Sequence, residues 1–160
     1  MRLRDFISDD AVRLDLSGTS KDDVLQEMAQ LLRADDRATA TLLRILRRRE
    51  HLGSTGVGRG IAIPHCRTLV SNRLRVAFAR HSTGVEWDAI DARPVHYLFL
   101  IVAPPLEVSN QYLPVLGRIA QFAKDADIPD RLAALSSPAY RLSGASEDAL
   151  PNRVSLVIEF

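Results

Sequence analysis

The sequence contains a single cysteine, Cys66, among its 160 residues. No disulfide can close within the chain, and a reducing compartment is expected. Long apolar runs are missing too. The longest, YLFLIVA from Tyr97 to Ala103, is far short of the roughly 20 residues a membrane-spanning helix needs. The opening MRLRDFISDD has no apolar signal core, so a soluble, cytoplasmic protein with no membrane insertion is expected. Charge of one sign is also lacking: 21 Lys and Arg face 20 Asp and Glu, for a net charge of +1. That excludes the broad basic face on which nucleic-acid binding depends, although RILRRRE (Arg44 to Glu50) is a local basic cluster. With no second cysteine, and with His51, His81 and His96 at no ligand spacing, no metal site is expected.

What is present reads as alternating elements. VRLDL (Val12 to Leu16) has strand alternation. SKDDVLQEMAQLLRA predicts a helix that Ser20 caps, with Asp23 at the capping-box position and Val24, Met28, Leu31 and Leu32 on one face. DRATATLLRILRRREHL predicts a second helix with Leu42, Leu43, Ile45 and Leu46 as core, ended by Gly53. Ile61 to Ile63 and Leu74 to Arg80 predict strands. Val95 to Ala103 is apolar on both faces, as a central strand is, and Pro104 and Pro105 end it. SNQYLPVLGRIAQFAKD predicts a helix in which Pro114 fits only the first turn, with Leu116, Ile119 and Phe122 on its apolar side. IPDRLAALSS predicts a shorter helix, and RVSLVIEF at the end alternates like a strand. Together these predict an α/β fold with one mixed sheet and helices packed on it.

The segment GSTGVGRGIAIPH (Gly53 to His65) carries the most chemistry. Gly53 and Gly58 match the glycine spacing of a nucleotide-binding P-loop, but Arg59 and Gly60 stand where that motif needs Lys and Ser or Thr. The segment also follows a helix and opens a strand, the reverse of a P-loop's order. Gly56, Gly58 and Gly60 are spaced wrongly for a dinucleotide fingerprint. Pro64 fixes its own φ and holds Ile63 extended, so the backbone entering His65 is stiff. That suits a histidine that must present one nitrogen in a fixed direction to accept a phosphoryl group. Loop amides, Ser54, Thr55 and an upstream arginine could face the added charge. A loop histidine beside a tight turn accounts for the same residues, and on spacing alone it is the simpler reading.

RREHLGSTGVGRGIAIPHCR closely resembles the active-site signature of phosphotransferase-system EIIA domains of the mannitol/fructose class, and most of all their nitrogen-regulatory branch. GVEWDAIDARPVHYLFLIVAP (Gly84 to Pro104) is similar to a second block of the same family, and the likeness extends over roughly residues 1–138. The resemblance implies an α/β fold with a single mixed parallel and antiparallel β-sheet flanked by helices on both faces, residues 1–160 forming one domain. It implies a cytoplasmic phosphocarrier that takes a phosphoryl group on His65 from a histidine-phosphorylated HPr-type carrier and signals to a regulated target by its phosphorylation state. No cofactor, metal or nucleotide is implied. The family's active-site arginine falls on Arg49, followed by Glu50. The group would sit on Nε2 of His65, with Nδ1–H held by an acceptor, and Ser54, Thr55, Gly56 and Gly58 would bind the phosphoryl oxygens. Arg47 and Arg48 are read as solvated helix residues that could help dock the donor.

Two departures qualify the resemblance. The family's second active-site histidine falls on Tyr112, or on Gln111 if the register slips, and tyrosine cannot become cationic. The alternative is therefore a protein-binding regulatory module that kept the fold and lost the phosphoryl relay. The tail, about residues 139–160, replaces the family's final helix with a strand-like run that could pair with a second copy as a homodimer. A hydrolase or metalloprotein built on His65 and Cys66 is disfavoured by the motif order and the missing ligands.

Overall fold

The computed structural model describes residues 5–135. The C-terminal strand expected near residue 154, and any pairing through it, lie outside these residues.

Two helices come first. α1 (Lys21–Gln30) starts where Ser20 accepts the Asp23 N–H, and Asp23 reaches back to the Thr19 N–H. α2 (Asp36–Leu52) starts where Asp35 accepts the Ala38 N–H at 2.7 Å. These side chains satisfy amides that have no partner within the helix. Val24, Leu25, Met28 and Leu32 of the first segment meet Leu42, Leu43 and Leu46 of the second in one buried cluster. Arg47 bridges back to Asp22, with Nη2 donating at 2.7 Å, so it ties α2 to α1 and is not a free surface cation. Arg48 is exposed.

The sheet has six strands among the described residues: β1 (Val12–Arg13), β2 (Gly56–Gly58), β3 (Ile61–Ala62), β4 (His65–Arg67), β5 (Arg75–Val85) and β6 (Val95–Ala103). Its order is β1-β5-β6-β3-β2, and β4 pairs with β6 beyond the end of β3. β1 runs parallel to β5, and β3 and β4 run parallel to β6, while β5–β6 and β2–β3 are antiparallel. β6 is central, and every residue from Leu98 to Ala103 is buried.

Strand alternation sorts these residues onto two faces. Ala62, Cys66, Ala77, Ala79, Leu98, Leu100 and Val102 pack against α1 and α2. Ile61, Ile63, Val76, Phe78, Phe99 and Ile101 pack against α3 (Tyr112–Phe122) and α4 (Ile128–Ala133). The expected mixed sheet with helices on both faces is what forms. No helix among the described residues is long and apolar enough to cross a membrane.

Several expected bounds shift. The first strand pairs only over Val12–Arg13, although Leu14 and Leu16 are still buried. β5 runs on past Arg80 to Val85 through an irregularity in its pairing with β6. α3 begins at Tyr112, which places Pro114 in its first turn, and buries Tyr112, Val115 and Ile119; Leu116 and Phe122 are half-buried. Ile45 of α2 and Leu31 after α1 are likewise half-buried.

Candidate functional site

The glycine-rich segment is not an open loop. Gly56–Gly58 is a strand that turns back onto Ile61–Ala62. The two turn residues, Arg59 and Gly60, both have positive φ, the requirement of a tight primed hairpin turn. Gly56 is needed for close approach: a Cβ there would lie 2.6 Å from the Ala89 Cβ.

The strand that leaves this hairpin breaks at Ile63–Pro64 and resumes at His65. Pro64 has no N–H, and its carbonyl accepts the Ile101 N–H at 3.0 Å, so β4 stays in register with β6. His65 is half-buried, and its Nδ1 lies 2.7 Å from the Ile63 carbonyl oxygen. A carbonyl only accepts, so Nδ1 carries the hydrogen and Nε2 keeps its lone pair.

A buried network supports the carbonyl under His65. The Ile63 N–H donates to the Thr55 carbonyl at 3.0 Å. Thr55 is buried; its hydroxyl donates to Glu50 Oε1, its amide donates to Glu50 Oε2 at 3.1 Å, and its oxygen accepts from Trp87 Nε1 at 3.2 Å. Lys21 Nζ reaches the same Glu50 oxygen at 3.0 Å and lies over the Trp87 ring. The Ser54 hydroxyl donates to the Trp87 carbonyl at 2.7 Å and accepts from the Gly56 amide at 3.1 Å.

These contacts give the segment partners inside the protein. The Ser54 hydroxyl, the Thr55 hydroxyl and amide, and the Gly56 amide are already committed within the protein. Gly58 has φ +97°, and the Asp91 carboxylate lies against it, a poor neighbour for an anion. Through these contacts Ser54, Thr55 and Gly56 help hold the backbone beneath His65 in place.

The cations lie elsewhere. Arg49, in the last turn of α2, donates from Nη1 to the Gly53 carbonyl at 2.8 Å, which leaves other guanidinium N–H groups available. Arg67, two residues beyond His65 on β4, lies over the Tyr112 ring, its guanidinium carbon 4.3 Å from the ring centroid. Burial pushes the Tyr112 hydroxyl up to about 12, with the Cys66 thiol adding to the shift and Arg67 and Arg49 opposing it. The phenol is therefore a neutral donor near pH 7, and both arginines act on it electrostatically. Sequence inspection missed Arg67. The alternation of a strand through His65 was the one signal available, since it puts the second residue along on the same side.

Cys66 points the other way, into the α1–α2 cluster. Burial pushes its thiol up to about 12, so it carries no thiolate at neutral pH. This weighs against chemistry shared between His65 and Cys66. No group of three His, Cys, Asp or Glu side chains gathers into a metal-binding cluster among the described residues.

Residues 5–140 match the family described as phosphoenolpyruvate-dependent sugar phosphotransferase system, EIIA 2. The chain is 33% identical over 138 residues to a nitrogen regulatory protein of Bradyrhizobium diazoefficiens, covering 84% of this chain and 88% of that one. It is 34% identical over 134 residues to a nitrogen regulatory protein of Pseudomonas aeruginosa, covering 82% of this chain and 86% of that one. Among solved structures, nitrogen regulatory protein IIA-Ntr of Neisseria meningitidis superposes with a TM-score of 0.77 at 30% identity, covering 87% of this chain and 95% of that one. The mannitol IIA of Escherichia coli shares the fold, with a TM-score of 0.65 at 18% identity over 84% of this chain and 95% of that one.

Proposed function

This chain belongs to the EIIA 2 family of the phosphoenolpyruvate-dependent sugar phosphotransferase system, and on that premise we propose that it is a cytoplasmic phosphocarrier whose acceptor is Nε2 of His65. The observation that carries this reading is the 2.7 Å contact between Nδ1 and the Ile63 carbonyl. It selects the tautomer whose free lone pair is on Nε2, and Pro64 together with the Thr55–Glu50–Trp87 network keeps that nitrogen from swinging.

In the transfer, the Nε2 lone pair forms the new N–P bond as the donor's N–P bond breaks. The breaking bond's electron pair returns to the donor ring, and the proton stays on Nδ1, hydrogen-bonded to the Ile63 carbonyl, throughout. Little bond chemistry is left for the protein, so catalysis is positioning and charge stabilisation. The phosphoryl group brings about two negative charges, and Arg49 supplies the first positive charge against them.

A protein donor fits the surroundings. Leu52, Leu69, Leu106, Val108 and Leu113 are all strongly exposed, and they lie on the segments adjoining Arg49, Arg67 and Tyr112. Apolar side chains exposed on neighbouring segments mark a surface that meets another protein. A histidine-phosphorylated HPr-type carrier is the donor we infer, and the phosphorylation state of His65 is the signal a regulated target would read.

Incubation with phosphoenolpyruvate, Enzyme I and an HPr-type carrier tests the proposal. The expected product is one phosphoryl group per chain, labile in acid and stable in base, as a phosphohistidine is. A folded chain that stays unlabelled would retire the phosphocarrier reading in favour of a binding module that has lost the relay.

A further inference from the structure

We propose that Arg67 is the second phosphoryl-binding cation of this site, held in place by the ring of Tyr112. This rests on the assignment of His65 as acceptor. His65 and Arg67 are the first and third residues of β4, opposite Ile101 and Ala103. Alternation puts both side chains on the same face, with their Cα atoms about 7 Å apart, within reach of a long guanidinium. Cys66 between them faces the other cluster.

Tyr112 supplies the orientation. It opens α3, is 6% exposed, and is fixed in the cluster on the His65 side of the sheet. The guanidinium carbon sits over that ring, 4.3 Å from its centroid, a cation–π contact that positions the side chain. Nη1 also lies 3.5 Å from the carbonyl oxygens of Pro104 and Pro105, the two residues that end β6. These contacts are long, so they guide the side chain while leaving it free to donate to a stronger acceptor.

The charges then balance. A phosphoryl dianion beside Arg49 alone would keep about one unit of uncompensated charge. Tyr112 cannot supply the difference, because a phenol is never cationic. Arg67 can, and guanidinium is charged at every physiological pH. Tyr112 thus contributes its ring face, and the cation comes from β4.

The test uses the full-length chain, Arg67→Ala, Arg67→Lys, Tyr112→Phe and Tyr112→Leu, each with two donors. One donor is the phosphorylated HPr-type carrier. The other is phosphoramidate, a small phosphoryl donor that requires no docking. Arg67 is exposed, so Arg67→Ala is expected to fold normally by circular dichroism and to label about a hundredfold more slowly with either donor. Arg67→Lys should recover only part of the rate, because lysine keeps the charge and loses the planar, forked guanidinium. Tyr112→Phe keeps the ring and should stay within about threefold of the parent. Tyr112→Leu should fall about tenfold on its own and add little further loss to Arg67→Ala.

Slow labelling of Arg67→Ala by the carrier with normal labelling by phosphoramidate would make Arg67 a docking residue and overturn the proposal. So would Tyr112→Phe as slow as Tyr112→Leu, since the hydroxyl would then matter and not the ring. A parent chain that takes no label from either donor would remove the His65 assignment itself, and this inference with it.

Discussion

His65→Ala is expected to take no label at all from a phosphorylated carrier, while His51→Ala labels like the parent. Alanine has no lone pair to form the N–P bond, so the loss is complete and not a slowing. The other three histidines are placed differently. His81 is buried; its Nε2 donates to the Gly18 carbonyl at 2.7 Å, and its Nδ1 accepts the Gly84 amide at 3.0 Å, so both nitrogens are occupied. His96 is half-buried and donates from Nδ1 to the His81 carbonyl at 3.0 Å, with Gly84 close against its ring. His51 is exposed in the last turn of α2, with no strand to orient it. Mass spectrometry of intact protein under alkaline conditions reads the result, and a His65→Ala chain labelled to the parent's level would refute the site.

Glu50→Ala is expected to have the largest effect on stability. Glu50 is buried and accepts three contacts: the Thr55 hydroxyl, the Thr55 amide and Lys21 Nζ. Removing the carboxylate leaves a buried amide without an acceptor and a half-buried ammonium without its partner. Losses of this kind cost about 2–4 kcal/mol, or roughly 5–15 °C in the melting midpoint for a chain of this size. Glu50→Gln keeps an acceptor of the same shape and should lose less. The chemistry should suffer as well, since the Thr55 carbonyl holds Ile63 and Ile63 orients His65. Thermal unfolding followed by circular dichroism checks the first effect. A Glu50→Ala midpoint within a degree or two of the parent would mean that the network carries no weight.

How much was legible in the sequence depended on whether an element's cause was local. α2 runs over Asp36–Leu52 as its cap and periodicity predict, and β6 over Val95–Ala103 as its unbroken apolar run and paired prolines predict. β2 and β4 were not legible. Gly-Val-Gly and His-Cys-Arg have no strand pattern of their own, and they are extended because β3 and β6 lie alongside. The site divides in the same way. Arg49 and His65 belong to a contiguous, recognisable stretch. The Glu50–Thr55–Trp87 network joins residues up to 37 positions apart (87 − 50), and the stack of Arg67 on Tyr112 joins two elements through the sheet. Such contacts exist only once the topology is known. The partners of the Ser54 and Thr55 hydroxyls and the Gly56 amide within the protein were likewise invisible in the sequence.

The central claim concerns one nitrogen atom, and NMR of phosphorylated protein with isotope-labelled histidine nitrogens tests it directly. Phosphorus–nitrogen coupling identifies which ring atom carries the group. Coupling to Nε2 of His65, with Nδ1 still protonated and in slow exchange behind the Ile63 carbonyl, is the result expected from the 2.7 Å contact. Coupling to Nδ1, or to a nitrogen of any other histidine, would contradict the account.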